Sequence, residues 1–489
     1  MSQLRPTDSG QSPTITIIGV FSIVSAAERW GLHKRMALRI LTLFGTKPHW
    51  LIFGMLVCTS ILSVFITAGV AVLMIPIVHS VVDKLKNVEH TKDIEMQSAE
   101  NNSEHGTEIS DDGKINREHR DEVNRLFKAF SLCICYGTAI GSSVLLTGGP
   151  PNLVTFSLTE EFYSQYGLPS KLTFLGWFIY AAPVSVIVVL LTWVWLVILF
   201  LRGRGLFRRS VNTEEMKQAE ERVKEHLNQE YKNIGPWSYP EKVVVMLTVI
   251  LVILFLTEDL YFVPGWDSLF KKGYVGSPAP VCLITALLFI IPAKSPRQIL
   301  RRDDKDCEDS KFAALLTWKC MLATFPWGIV LIIGAAFSLV KACKVSGLTG
   351  MIAGQFELLV DLEPWVITLV ITVVTSLLTE FISNSATIIL LLPIVGQIAI
   401  LVNLDPLAFI FPMALSAKCA FMMPIASPPN AIAFSLGALQ VKDMAMAGFL
   451  LNILSLLTIN LSAHAWGKAY FRWDVIADEM RQNITSATI

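Results

Sequence analysis

The chain has 489 residues, of which 53% are hydrophobic and only 16% charged. Ordinary soluble domains carry about 25% charged residues, so the composition excludes a string of soluble domains, a disordered chain or a disulfide scaffold, and points to a polytopic helical membrane protein. Basic and acidic residues both number 40, so the balance is neutral and gives no sign of a nucleic-acid partner.

A spanning helix needs about 20 mostly apolar residues. In chain order, apolar runs occupy 13–27 (short), 50–79, 129–158 (interrupted by Gly and Pro), 172–201, 242–263, 278–293, 321–342, 364–397, 406–438 and 445–468. A bilayer leaves no water for backbone groups, so these are expected as helices. The start does not read as a secretory signal, because only Arg5 precedes the first apolar stretch.

Polar blocks separate the runs at 80–128, 202–241 and 294–319. The first carries mixed charge from Asp83 to Lys128 and reads largely as a disordered linker. The second opens with Arg202, Arg204, Arg208 and Arg209, and the third holds Lys294, Arg297, Arg301, Arg302, Lys305 and Lys311. Such basic blocks are expected in the cytoplasm. The sequon Asn483-Ile484-Thr485 fits a tail on the outer side. The 8 cysteines make no CxxC pair and lie mostly in apolar runs, which reads as buried core thiols. No HExxH, GxSxG or paired catalytic carboxylate occurs in the runs, so an enzyme has no support.

Two segments repeat. Residues 65–78 read FITAGVAVLMIPIV and residues 381–395 read FISNSATIILLLPIV. Downstream of each, an apolar run carries Pro-Pro-Asn: TGGPPNLVTFSL at 147–158 and ASPPNAIAFSLG at 426–437. Interrupted apolar segments at corresponding positions of two halves are the pattern of secondary transporters. Pro150-Pro151 and Pro428-Pro429 each remove two consecutive amide donors, leaving carbonyls without helical partners. Such carbonyls are hard oxygen ligands suited to sodium. Ser383 to Thr387 add hydroxyl and amide groups at a turn, where a helix start favours negative charge. The alternative, a kinked helix with small packing residues, suits a lone proline better than a repeated pair.

At this level of detail the chain resembles the divalent-anion/sodium symporters, the sodium-coupled dicarboxylate, citrate and sulfate transporters. The resemblance rests on AERWGLHKRMALRIL (27–41), CICYGTAIG (133–141), TGGPPNLV (147–154), PWGIVLIIGAAFSL (326–339), TEFISNSATIILLLPI (379–394) and FMMPIASPPNAIAF (421–434), in order over nearly the whole chain. It implies an all-α inverted-repeat transporter of elevator type with two re-entrant hairpins and two broken helices, working as a homodimer in the plasma membrane. It further implies a small-molecule dianion as substrate, sodium as the coupling ion and no cofactor.

Matched residue by residue, the resemblance assigns substrate contacts to Thr67, Asn152, Ser383, Asn384, Ser385, Ser427 and Pro428. Sodium falls to Thr147, Gly148 and Gly149 in the first half, and to Thr379, Ile382, Asn384 and Ala426 in the second. The implied division is 1–49 scaffold remnant, 50–79 first hairpin, 80–128 cytoplasmic loop, 129–201 transport-domain helices, 202–241 loop, 242–350 scaffold, 351–397 second hairpin, 398–473 transport-domain helices and 474–489 tail.

Three departures stand out. The first tip reads Ile66-Thr67-Ala68-Gly69 in place of Ser-Asn-Thr, the stretch before Gly149 reads SSVLLTG, and the chain starts at what resembles the family's fourth helix. They favour, as the competing reading, a diverged paralogue that does not transport. Glu380 is either functional or a structural hydrogen-bonding group; the family carries Glu here too. Lys418 stands where the family has a small or neutral residue, and His464 reads as interfacial packing.

Overall fold

The computed structural model describes residues 12–44, 47–64, 70–71, 74–79, 82, 111–168, 170–201, 221, 225, 228–259, 264–270, 275–276, 278–294, 314–325, 327–347, 351, 362–471 and 473. Among them the protein is helical, apart from one antiparallel bridge, Pro292–Ala314. The first hairpin tip, including Thr67, most of the 80–110 stretch and the tail with Asn483 lie outside the described residues.

The amino-terminal helix Ser12–Arg29 turns at Gly31, whose φ of +63° suits glycine, into Leu32–Leu43 at an angle of 69°. Arg35 fixes this second helix in place. Its buried guanidinium pairs with Glu241 at 3.2 Å and donates to Gly235 O at 2.7 Å. Glu241 also closes a capping box with Ser238 at the start of Tyr239–Leu256. Arg29 and Trp30 donate to the carbonyl of Leu315, which holds the bend against the segment after residue 314.

The first hairpin arm, Pro48–Ser63, lies tightly on Asp111–Gly141. Small residues permit this approach: a Cβ on Gly141 would sit 2.0 Å from Ser60 O. Hydroxyls then cross the contact, Thr59 to Cys133 O at 3.1 Å and Ser63 to Gly137 O at 3.3 Å.

Asp111–Gly141 begins well inside the block expected as a polar loop. Mixed charge hides its period, yet Val123, Leu126 and Phe130 are buried at helical spacing and Lys128 pairs with Asp443 at 2.8 Å. The 321–342 run is also divided differently, into Trp318–Thr324 and Trp327–Val345.

Four described helices are long and apolar enough to cross a membrane: Phe174–Leu201, Tyr239–Leu256, Asn384–Leu401 and Val441–Phe471. Phe174–Leu201 leaves Val186, Leu190, Val194 and Ile198 exposed along one stripe, as a lipid-facing surface requires. Its opposite face buries Trp177 and Tyr180 against Phe411, which places the core between the two halves. Asp405 adds a polar tie: it accepts from the Tyr163 hydroxyl and from Lys171 at 2.8 Å.

Candidate functional site: two facing helix breaks

The second hairpin forms as the sequence pattern requires. Pro364–Thr379 ends, residues 380–383 turn, and Asn384–Leu401 returns. Ser383 caps the returning helix, its Oγ accepting from Ala386 N at 3.3 Å. The facing chain is a helix, Leu407–Ser416, then an irregular break with a short 3₁₀ turn at Pro424–Ala426, then Pro428–Ser435. Ser427 caps that last helix through Asn430 N at 3.4 Å. Two capped helix starts, each with its positive dipole end, thus belong to one hairpin-and-break unit.

Hydrogen bonds join the hairpin to the break. Ser376 donates to Cys419 O at 3.1 Å. Thr379 Oγ1 lies 2.9 Å from both Asn384 Oδ1 and Ala417 O, so its single proton can serve either acceptor. Glu380 makes the largest set. Its carboxylate accepts from Phe421 N at 3.0 Å, from Met422 N at 3.1 Å and from Met423 N at 3.0 Å. It also accepts from Asn452 Nδ2 at 2.7 Å. The break's stranded amides are therefore satisfied by one buried side chain from the hairpin tip. Of the two readings open for Glu380, the geometry supports the structural one.

The first half repeats the break in detail. Asp111–Gly141 gives way to a 3₁₀ turn at Leu146–Gly148 and then to Pro150–Ser164. Asn152 Nδ2 donates to Ser142 O at 2.8 Å and Leu145 O at 2.6 Å. Asn430 Nδ2 donates to Ala420 O at 2.8 Å and Met423 O at 3.0 Å. In both halves the acceptors lie ten and seven positions upstream, so the repeated Pro-Pro-Asn is a structural unit. The prolines open the helix, and the asparagine binds two of the carbonyls around the break. Asn152, expected at the substrate, is buried, and its amide nitrogen makes these two bonds.

The two breaks face each other. Tyr136 OH reaches Phe421 O at 3.5 Å, and Lys418 Nζ reaches Ser142 Oγ at 3.1 Å.

Of the remaining expected residues, Ile382, Ser383 and Pro428 are exposed, Asn384, Ser385 and Ser427 partly exposed, and Ala426 buried. Gly148 and Gly149 lie buried in the first break. Thr147 lines a cavity with Val24, Thr248 and Phe255, between the first break and the helices Ser12–Arg29 and Tyr239–Leu256. No group of three potential metal-ligating His, Cys, Asp or Glu residues occurs among the described residues. The hairpin and breaks do supply neutral oxygens, from Thr379, Asn384 and the carbonyls around each break.

Sequence reasoning passed over Asn452, Tyr136 and Ser142. Asn452 had a signal, an amide isolated in the 445–468 apolar run, but its partner is 72 residues away.

Gly148 supplies a direct test of the first break. A Cβ there would meet Ser142 O at 2.4 Å, the same carbonyl that Asn152 holds. Gly148→Ala is expected to lower surface expression severalfold, measured by biotinylation. Wild-type levels of correctly folded protein would show that this break adapts.

Comparison with known proteins agrees with this architecture. The family described as the sodium:sulfate symporter transmembrane region matches residues 8–473. The human Na(+)/dicarboxylate cotransporter 3 is 36% identical over 93% of this chain and 80% of its own length. The rat Na(+)/citrate cotransporter is 33% identical over 94% of this chain and 83% of its own. The crystal structure of the Alcanivorax borkumensis YdaH transporter is similar in fold alone, with a TM-score of 0.58 at 13% identity over 94% of this chain and 86% of that one. This chain is a multi-pass membrane transporter rather than an enzyme, and it belongs to the sodium:sulfate symporter family.

Proposed function

We propose that the protein is a sodium-coupled symporter of small divalent anions, with di- and tricarboxylates such as succinate and citrate as its substrates. The observation that carries this is the second hairpin-and-break unit. Neutral oxygens from Thr379 and Asn384 meet at the capped start of Asn384–Leu401, and Thr379 joins them to the break at Ala417 O. Such a place suits a cation next to an anionic carboxylate. The dicarboxylate and citrate cotransporters among the relatives support the substrate class. In this reading sodium meets Thr379, Asn384 and the backbone at Ile382 and Ala426, and the substrate meets Ser383, Asn384, Ser385, Ser427 and Pro428. In the first half, the sodium candidates are Thr147, Gly148 and Gly149, and the substrate contacts Thr67 and Asn152. The protein works at the plasma membrane as a homodimer, with the hairpin-and-break units moving together against the scaffold helices.

Sulfate is the second reading, favoured by the description of the matching family. Uptake of radiolabelled succinate, citrate and sulfate by expressing cells, with choline replacing sodium, separates them. The proposal expects carboxylate uptake that disappears in choline. Sodium-dependent uptake of sulfate alone would transfer the assignment to sulfate, and uptake indifferent to sodium would refute both.

A further inference from the structure

Lys418 is an unusual object in this fold. It stands at the start of the second break, and only 5% of it is exposed. Its ammonium donates to Ser142 Oγ at 3.1 Å, a neutral acceptor. Among the described residues no carboxylate lies within ion-pair distance of it. Glu380, the buried acid of the same region, is occupied by the amides of residues 421–423 and by Asn452. An ammonium removed from water without a counter-charge is strongly disfavoured. To stay charged it needs a partner from elsewhere.

The surroundings specify that partner. Lys418 lines a narrow cavity between the first break, Phe174–Leu201 and Val441–Ser462. The cavity has room for about two water-sized molecules. Its walls are mainly apolar, with the hydroxyl residues Ser143, Ser185 and Ser455 among them. The Ser455 hydroxyl is buried and has no oxygen or nitrogen partner, only the soft Cys419 sulfur beside it. An ammonium with donors to spare and a buried hydroxyl whose one neighbour is the weak Cys419 acceptor therefore line one small space. Both can donate, and an acceptor that also balances the Lys418 charge is an anion. The space is too small for a dicarboxylate.

We propose that Lys418 and Ser455 hold a small monovalent anion of the chloride class between the two breaks. This site is separate from the hairpin site assigned to the transported dianion. Bound there, the anion neutralises Lys418 and steadies the contact between the breaks that Lys418 makes with Ser142. The inference does not depend on which dianion is carried, nor on transport itself, because it is read from stability.

The test uses the purified full-length protein at constant sodium, with chloride titrated against gluconate and thermal unfolding as the readout. Chloride is expected to raise the melting temperature saturably. Lys418→Met removes the buried charge and fills its space with an apolar chain. It is expected to abolish the chloride response while melting higher than wild type in gluconate. Ser455→Ala is expected to raise the half-saturating chloride concentration about tenfold, the loss of one hydrogen bond to an ion. It carries the test alone if Lys418→Met does not fold. Identical melting of wild type in chloride and gluconate would overturn the proposal. So would a wild-type chloride response in either variant, or a Lys418-dependent response to succinate in place of chloride, which would assign the cavity to the transported substrate.

Discussion

Glu380→Ala is expected to leave little folded protein at the cell surface. The substitution deletes the acceptor of three backbone amides, at Phe421, Met422 and Met423, and of the Asn452 side chain. Each buried donor left without a partner costs about 1–3 kcal/mol. Several together approach the whole stability of a typical domain, about 5–15 kcal/mol. Within a bilayer, water is scarce as a replacement. Glu380→Gln keeps one acceptor oxygen but turns an amide group toward the Met422 and Met423 N–H groups, so it should fall between wild type and Ala. Surface biotinylation and thermal unfolding in detergent give the order wild type, Gln, Ala. A normal surface level of Glu380→Ala with uptake lost would instead make the carboxylate an ion ligand. Normal level and normal uptake would deny it either role.

Much of this architecture is legible in the sequence because it rests on local chemistry. The apolar runs mark the helices, and paired prolines in an apolar run require a break wherever they occur. The recurrence of Pro-Pro-Asn 278 positions apart, at Asn152 and Asn430, exposes the two halves. What stays hidden depends on contacts distant in sequence. Asn452 reads as a lone amide until the fold brings it to Glu380. The tie among Tyr163, Lys171 and Asp405 joins residues more than 230 positions apart. The helical stretch from Asp111 is masked for another reason: its charge density resembles that of a solvated linker, and only Val123, Leu126 and Phe130 betray the period. Asn152 shows the converse. Its motif locates the break, and only the fold shows that its amide nitrogen binds two carbonyls there.

Asn384→Ala is expected to abolish sodium-driven transport and leave folding intact. The loss of the side chain strands nothing: Thr379 retains Ala417 O as an acceptor at 2.9 Å, and Ser383 continues to cap the helix. Alanine is also the stronger helix former at that position. What disappears is the amide oxygen beside Thr379, the neutral ligand that the proposed function assigns to sodium. Folding and function should therefore separate here, whereas at Glu380 they fall together. The measurement is succinate accumulation in proteoliposomes of equal protein content, driven only by an imposed inward sodium gradient. Wild type should accumulate succinate and lose the ability when the gradient is collapsed, and Asn384→Ala should accumulate none. Equal accumulation by wild type and Asn384→Ala, or accumulation unaffected by removal of the sodium gradient, would contradict sodium coupling at the second hairpin.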